Sequence, residues 1–198
     1  IEPNKNLQDM LAVYQKKGAA QIAGKIGNVD AKLEGDRNKV RYEQVNLARV
    51  IIAAQMQSVG ADFGLISGGG IRDSIQAGDV SYKDILKVHP FKNRITYIDM
   101  TGQELYDYLQ VVTSFPPDSG AYLQYYKLSF KRDNDTLSDV KIAGKPLDMT
   151  KTYRMSINSY NASGGDGYPT LTNKKGFVST DDTDAQALKR FFEQNSPV

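Results

Sequence analysis

A single carboxylate is enclosed by glycines near the end of the chain, six residues after a large aromatic side chain. It is Asp166, between Gly165 and Gly167 in the run SYNASGGDGYP, and the aromatic is Tyr160. A tyrosine ring can stack on a heterocycle, which contributes about 1–3 kcal/mol per base. A carboxylate can accept two hydrogen bonds from a ribose diol, and glycines keep neighbouring side chains clear of the sugar. The pattern indicates a nucleoside site, with a plain glycine turn as the alternative.

Two arginine-containing segments could bind an anion. In GDRNKVR, Arg37 and Arg41 are four residues apart, so they share a face on a helix or converge on one anion from a loop. In SGGGIRDSI, three glycines let the backbone approach a ligand, and Arg72 follows at once. Guanidinium groups suit phosphate oxygens because two parallel donors meet two acceptors. The alternatives are a solvated basic patch for the first segment and a tight turn with a surface arginine for the second.

The segment VHPFKN combines an aromatic ring with an amide. Asn93 offers a donor and an acceptor two residues after Phe91, so it could bind the edge of a base whose face lies on the ring. A core phenylalanine followed by a turn asparagine is the alternative. The segment also holds His89, the one histidine of the chain, for which we expect a structural rather than a catalytic role.

The composition excludes several classes of protein. With no cysteine and one histidine, the 198 residues contain neither disulfides nor thiolate metal sites nor a zinc site built on histidines. The formal net charge is only +2 and the basic residues are spread along the chain, which is not typical of a protein that coats nucleic acid. No apolar run reaches the roughly 18 residues of a membrane span. We expect neither a signal nor an anchor in this sequence, and we expect a piece of a longer polypeptide because an initiator methionine is missing.

The elements that must position these residues follow from hydrophobic spacing and stop signals. Residues 45–57 are apolar almost all round and precede Gly60, which predicts a buried helix with a glycine stop. Residues 61–67 are an apolar run of strand length that ends in the glycine turn. The sequence TGQE at 101–104 has the form of a capping box and predicts a helix start.

Further strands and helices complete the prediction. Strands are predicted at RITYIDM, at a strand pair with a turn near Gly144, and at YRMSIN. Helices are predicted for an opening segment with Leu7, Leu11 and Tyr14 that stops at Gly18, and for a last segment after DDTD with Ala185, Leu188, Phe191 and Phe192 on one face. Because several strand pairs are too close for crossovers, we predict one α+β domain, a mixed β-sheet with packed helices.

Four segments in this order, LEGDRNKVR, SGGGIRDSIQAGDVSYKD, VHPFKN and NASGGDGYP, resemble the C-terminal domain of the 5'-nucleotidase family, from about residue 10 to the end. Within that family the sequence is most similar to the bacterial periplasmic UDP-sugar hydrolases/5'-nucleotidases. The resemblance implies the substrate-recognition domain of a hydrolase that cleaves nucleotide phosphate esters and anhydrides. It implies no catalytic residue, metal or cofactor in this chain, which alone should be inactive. A separate N-terminal metallophosphoesterase domain, absent from this chain, would hold two divalent metal ions, Zn, Mn or similar.

The resemblance also implies a role for each candidate residue. Phe91 and Tyr160 would sandwich the base, and Asn93 would hydrogen-bond it. Asp166 would hold the ribose hydroxyls, and the backbone around Gly120 would line the pocket. Phosphate oxygens would be bound by Arg37, Arg41 and Arg72. The family commonly has phenylalanine where this chain has Tyr160 and glycine where it has Lys92, and both departures leave stacking intact.

The implied organisation is an interdomain helix or hinge remnant at 1–18 followed by a nucleotide-binding domain at 19–198. Lys16, Lys17 and Gly18 would lie at a pivot about which the domain swings between open and closed forms. The expected partners are nucleotides, UDP-sugars and the N-terminal domain of the same polypeptide, with no nucleic acid polymer and no membrane. We expect a periplasmic monomer. The alternative is a stand-alone nucleotide-binding or surface interaction module without a hydrolase role.

Overall fold

The computed structural model of the chain describes residues 10–13, 15, 18 and 22–198. Of the predicted opening helix, Leu7 and Tyr14 lie outside the described residues, as do Lys16 and Lys17 of the expected pivot. Residues 10–13 are helical, and so are Gly18, Ile22 and Ala23, so the predicted stop at Gly18 is wrong. No helix in the described part of the chain is long and apolar enough to cross a membrane.

Ten strands and six helices follow from residue 25 onward. The strands are β1 (Lys25–Val29), β2 (Phe63–Ser67), β3 (Gly78–Ser81), β4 (Arg94–Thr101), β5 (Leu123–Tyr126), β6 (Leu128–Asp133), β7 (Thr136–Ile142), β8 (Lys145–Pro146), β9 (Thr152–Asn158) and β10 (Phe177–Thr183). The helices are α1 (Arg37–Val40), α2 (Asn46–Val59), α3 (Tyr82–Val88), α4 (Gly102–Val112), α5 (Ser159–Ala162) and α6 (Asp184–Asn195). Two 3-10 turns lie at Gly68–Gly70 and Gly165–Gly167.

The central sheet has five strands in the order β10-β4-β9-β2-β5. Strands β2 and β9 are parallel, and the remaining pairs of this sheet are antiparallel. Two smaller antiparallel sheets, β1-β3 and β6-β7-β8, lie beside it. The sheet is therefore mixed, and the predicted α+β class is confirmed.

Helices cover both faces of the central sheet. All five residues of β2 are buried, and they alternate between the two faces. Phe63 and Leu65 pack in one core with residues of α4, and Ile66 packs in a second core with residues of α2, α3 and α6. A central strand that is buried on both sides reads as a continuous apolar run because neither face is solvated.

Local signals fix the helix ends as predicted in two cases. Helix α2 ends at Gly60, whose φ of 63° is left-handed and suits glycine. At the start of α4, the Thr101 hydroxyl accepts a hydrogen bond from the Glu104 amide at 3.3 Å, and the Glu104 carboxylate accepts one from the Thr101 amide at 2.9 Å. The last helix is confirmed, since α6 begins at Asp184, the final residue of the DDTD run, and contains the four predicted apolar residues. The three residues before Asp184 belong to β10, which was not predicted.

Candidate functional site

One pocket of about 290 Å³ lies at an end of the central sheet, where β2 and β9 finish and β4 begins. The carboxyl ends of neighbouring parallel strands are a common position for ligand sites in α/β sheets. The residues that line the pocket come from five separate segments of the chain. They are Arg41, Gly69, Gly70, Arg72, Phe91, Asn93, Gly120, Tyr160 and Asp166.

Seven of the eight residues predicted for the site line this pocket, and Arg37 does not. Arg37 is the first residue of α1, a helix of four residues, and its side chain is exposed. The helix ends at Val40, and Arg41 has φ −99° and ψ 0°, so the two arginines do not continue along one regular helical face. Gly69 and Gly70 also line the pocket, as expected if the glycine run lets the backbone approach a ligand.

The glycine turn after β2 is held close to two other backbone segments. The Gly68 amide donates to the Tyr122 carbonyl at 2.8 Å, and the Gly69 amide donates to the Gly120 carbonyl at 2.8 Å. A Cβ atom at position 68 would collide with the Val40 carbonyl oxygen, so this approach requires glycine. The turn therefore brings the segments around residues 40 and 120 to the mouth of the pocket.

Arg72 follows that turn and is fixed at its backbone and its side chain. Its amide donates to the Val88 carbonyl at 3.1 Å, and its guanidinium donates to the Gly69 carbonyl at 3.2 Å. The guanidinium carbon lies 5.6 Å from the centre of the Phe91 ring. The cation and the aromatic ring thus lie side by side on one wall, within the range of a cation–π contact.

Phe91 is 56% exposed and is therefore not the core phenylalanine that the sequence left as an alternative. It lies in the loop between α3 and β4, together with Asn93. The Asn93 carbonyl accepts a hydrogen bond from the Asp184 amide at 2.9 Å, which ties this loop to the start of α6. An exposed ring in a tethered loop can offer its face to a ligand.

His89 and Asp184 form a buried pair next to this loop, with 3.7 Å between His89 Nδ1 and a carboxylate oxygen of Asp184. Burial lowers the pKa of His89, an effect that the Asp184 carboxylate counters. Burial raises the pKa of Asp184, and the nearby His89 counters this shift in turn. Because His89 is 2% exposed and does not line the pocket, its position agrees with the structural role expected from the sequence.

The loop that carries Tyr160 is anchored to the sheet by Asn161. The Asn161 side chain accepts a hydrogen bond from the Ser67 amide at 3.1 Å and donates one to the Ser67 hydroxyl at 3.0 Å. The Asn161 amide donates to the Asn158 side chain at 2.9 Å, which caps the short helix α5. Asn161 is fully buried, and it joins the end of β9 to the end of β2. Its role was not foreseen from the sequence, although Asn158 occupies an N-cap position that could have indicated the helix start.

Tyr160 and Asp166 are hydrogen-bonded to each other at the pocket wall. The Tyr160 hydroxyl donates to Asp166 Oδ1 at 3.0 Å. Partial burial raises the pKa of Tyr160, and the Asp166 hydrogen bond adds to this shift. A Cβ atom at position 165 would lie 2.6 Å from the Tyr160 ring, so Gly165 lets the ring lie against the backbone of the glycine run.

The segment around Gly120 closes the remaining side. The Tyr168 hydroxyl donates to the Ala121 carbonyl at 3.1 Å, and the Tyr168 ring packs on Phe115 with 5.1 Å between ring centres. A Cβ atom at Gly120 would lie 3.7 Å from Asp166 Oδ1 and 3.8 Å from Arg41 Nη2. Gly120 thus lies close to both a carboxylate and a guanidinium, and its lack of a side chain leaves the space beside them open. Tyr168 is a further positioning residue that the sequence did not indicate.

The charged groups of the pocket are not paired with each other. Within the described part of the chain, Arg41, Arg72 and Asp166 form no salt bridge, and the buried Nε of Arg41 has no hydrogen-bond partner. No group of three or more His, Cys, Asp and Glu side chains placed to hold a metal ion occurs among the described residues. Two exposed rings, a carboxylate and two guanidinium groups can together bind a ligand that has an aromatic ring, hydroxyls and an anion.

The chain is similar to known proteins of one family. The model of the family "5'-nucleotidase, C-terminal domain" matches residues 24–173. The chain is 54% identical over its full length to Silent protein UshA(0) of Salmonella typhimurium and 50% identical to a 5'-nucleotidase of Vibrio vulnificus. It spans 36% of the length of each of these two relatives.

A solved structure agrees in fold. The 5'-nucleotidase precursor from Thermus thermophilus superimposes with a TM-score of 0.80 and 27% sequence identity, over 94% of this chain and 40% of that chain. The family match covers most of the chain and includes the pocket segments from Arg41 to Asp166. The chain therefore belongs to the family of 5'-nucleotidase C-terminal domains.

Proposed function

We propose that this chain is the nucleotide-recognition domain of a hydrolase that cleaves nucleotide phosphate esters and anhydrides. The proposal depends on one observation. Phe91, Tyr160 and Asp166 line the same pocket, although Phe91 and Tyr160 are 69 positions apart in the sequence. Two rings, a carboxylate and two guanidinium groups match the three chemical parts of a nucleotide, its base, its ribose and its phosphates. A surface module whose glycine loops are only turns has no need of this convergence.

In this proposal each wall of the pocket binds one part of the nucleotide. Phe91 and Tyr160 hold the faces of the base, and Asn93 binds its edge. Asp166 accepts hydrogen bonds from the ribose hydroxyls. Arg41 and Arg72 bind phosphate oxygens, and Arg37 joins them only if a longer phosphate chain reaches beyond the pocket.

The proposal extends to a larger polypeptide. The two relatives are about three times as long as this chain, which supports a further domain in the complete polypeptide. By the family resemblance this domain is an N-terminal metallophosphoesterase domain with two divalent metal ions. It is joined through residues 1–18 and closes onto residues 19–198. UDP-sugars are included as substrates because uracil, like adenine, has two faces for stacking. A periplasmic location and a monomeric state rest on the family resemblance.

The binding proposal is tested by titrating the 198-residue chain with AMP and recording NMR shifts of the Phe91 and Tyr160 rings. We expect saturable shifts at both rings, because stacking contributes about 1–3 kcal/mol per base. Inorganic phosphate is the control, since it should affect the arginines without moving both rings. No response at either ring up to high millimolar AMP would contradict the proposal.

The division of labour is tested by an activity assay. We expect the isolated chain to release no phosphate from AMP or UDP-glucose in Mn²⁺ or Zn²⁺, because two-metal hydrolysis needs clustered ligands around both ions. Robust turnover by pure material would assign the chemistry to this chain and overturn the proposed division.

A further inference from the structure

We propose that the Tyr160 hydroxyl is a positioning group for the Asp166 carboxylate, and that it sharpens the discrimination of ribonucleotides from 2'-deoxyribonucleotides at this site. The inference rests on the proposed function and names a specificity determinant within it. Its basis is the 3.0 Å hydrogen bond from the Tyr160 hydroxyl to Asp166 Oδ1.

The hydrogen bond restrains the Asp166 carboxylate, which has few other contacts of its own. Asp166 has φ 57°, a left-handed conformation that non-glycine residues adopt at some cost. It forms no salt bridge within the described ranges, so Tyr160 supplies the one side-chain hydrogen bond recorded for its carboxylate there. A carboxylate with one tethered oxygen has a defined plane, whereas an untethered one rotates freely about its terminal torsion.

Tyr160 is itself well placed to hold another group. Its ring lies against Gly165, where a Cβ atom would come within 2.6 Å, so the backbone limits the positions of the ring. The ring is 45% exposed and lines the pocket, so the same side chain offers a stacking face and a tether. A phenylalanine at position 160 would keep the face and lose the tether.

The tether matters most for a ligand with two adjacent hydroxyls. With Oδ1 fixed by Tyr160, Oδ2 and the second lone pair of Oδ1 are both oriented for acceptance. A ribose diol can use both, and a 2'-deoxyribose only one. A carboxylate that is already oriented loses less entropy on binding. This saving is larger for a ribose, which forms two hydrogen bonds, than for a 2'-deoxyribose, which forms one. The hydroxyl of Tyr160 should therefore increase the ratio of the two affinities.

The test compares Kd for AMP and for 2'-deoxy-AMP in the wild-type chain and in Tyr160→Phe. We expect the wild-type chain to prefer AMP, and we expect this preference to fall about three- to tenfold in Tyr160→Phe, the equivalent of one hydrogen bond. In an Asp166→Ala background, Tyr160→Phe should leave the preference for AMP unchanged, because the Tyr160 hydroxyl then has no carboxylate to orient. Tyr42→Phe is the matched control, since Tyr42 is another exposed tyrosine whose pKa is raised by a neighbouring aspartate, Asp118, and it does not line the pocket.

A second measurement needs no ligand. Titration of ¹³C-labelled tyrosines gives the pKa of Tyr160, whose signal is the one missing from the Tyr160→Phe spectrum. Burial and then the Asp166 hydrogen bond raise this pKa, so Asp166→Ala should lower it toward the ordinary value while that of Tyr42 stays in place.

The outcomes separate this inference from the proposed function. An unchanged AMP preference in Tyr160→Phe, with AMP still bound, overturns the inference alone. An unchanged Tyr160 pKa in Asp166→Ala overturns it as well. Failure of the wild-type chain to bind either nucleotide overturns the proposed function and this inference with it.

Discussion

Arginine and carboxylate groups are arranged differently at the two ends of strands β4 and β9. At the end away from the pocket, Arg154 donates two hydrogen bonds to Asp99, at 2.8 and 2.9 Å, and stacks on Tyr97 at 4.1 Å. At the pocket end, Arg41 and Asp166 both lie near Gly120, and within the described residues there is no salt bridge between them. The first arrangement satisfies its charges within the chain. The second leaves them available to a ligand.

This contrast distinguishes a structural ion pair from a recognition site. The Arg154 guanidinium holds the pKa of Asp99 below its ordinary value, as expected for a bidentate pair. Both side chains are 36% exposed, so solvent screens the pair and limits its contribution to stability. Substitutions at the two ends should therefore change different quantities: stability at one and affinity at the other.

The largest effect should come from Asp166→Ala. Hydrogen bonds to a charged group contribute about 1.5–3 kcal/mol, so we expect affinity for AMP to fall about 10- to 100-fold. The free energy of unfolding should change little, because Asp166 is not part of a core or an ion pair in the described chain. Isothermal titration and thermal unfolding of the same preparation measure both quantities. Unchanged affinity for AMP would show that Asp166 takes no part in recognition and would contradict the proposed difference between the two ends.

A somewhat smaller effect is expected for Phe91→Ala. Loss of one stacking surface should weaken AMP binding by about 1–3 kcal/mol, a range that begins at roughly fivefold. Stability should be retained because Phe91 is 56% exposed. Val178→Ala serves as the control, since Val178 is another exposed apolar residue, at 39%, and lies in β10 outside the pocket. Equal losses of affinity in both variants would indicate a nonspecific cause.

The smallest effect, and one on stability alone, is expected for Asp99→Asn. A half-exposed ion pair contributes about 0.2–1 kcal/mol, and AMP affinity should not change. Because the folded-state pKa of Asp99 is lowered from 3.8, its contribution is complete above that value and is lost as the pH falls through the lower folded-state pKa. In denaturant unfolding, the free energies of unfolding of the wild-type chain and the variant should therefore differ at pH 7 and become equal in strong acid. A difference in AMP affinity would contradict the assignment of this pair to stability.

Elements with strong local signals could be predicted from the sequence. The glycine stop of α2 and the capping box of α4 are set within a few residues, and both were confirmed. Strand β10 was missed because five of its seven residues, Ser179–Thr183, are polar, and no residue of the strand is buried. Helix α3 was also missed, although Ser81 and Asp84 form a capping box whose spacing was visible in SYKD.

The candidate site could be predicted in part for the same physical reason. Its ligand-facing residues lie in short motifs, so most of them could be named, although their roles toward a nucleotide stay predictions. The residues that position them depend on distant contacts. Asn161 reaches Ser67 across 94 positions and Tyr168 reaches Ala121 across 47, and no local pattern specifies such pairs.

The Asn161 hydrogen bonds to Ser67 have a mechanical consequence. They fasten the Tyr160 loop to the strand that leads into the glycine turn, so the distance between these two walls is inherited from the spacing of parallel strands. A change in pocket width to suit a larger or smaller ligand is therefore least expected between these two walls.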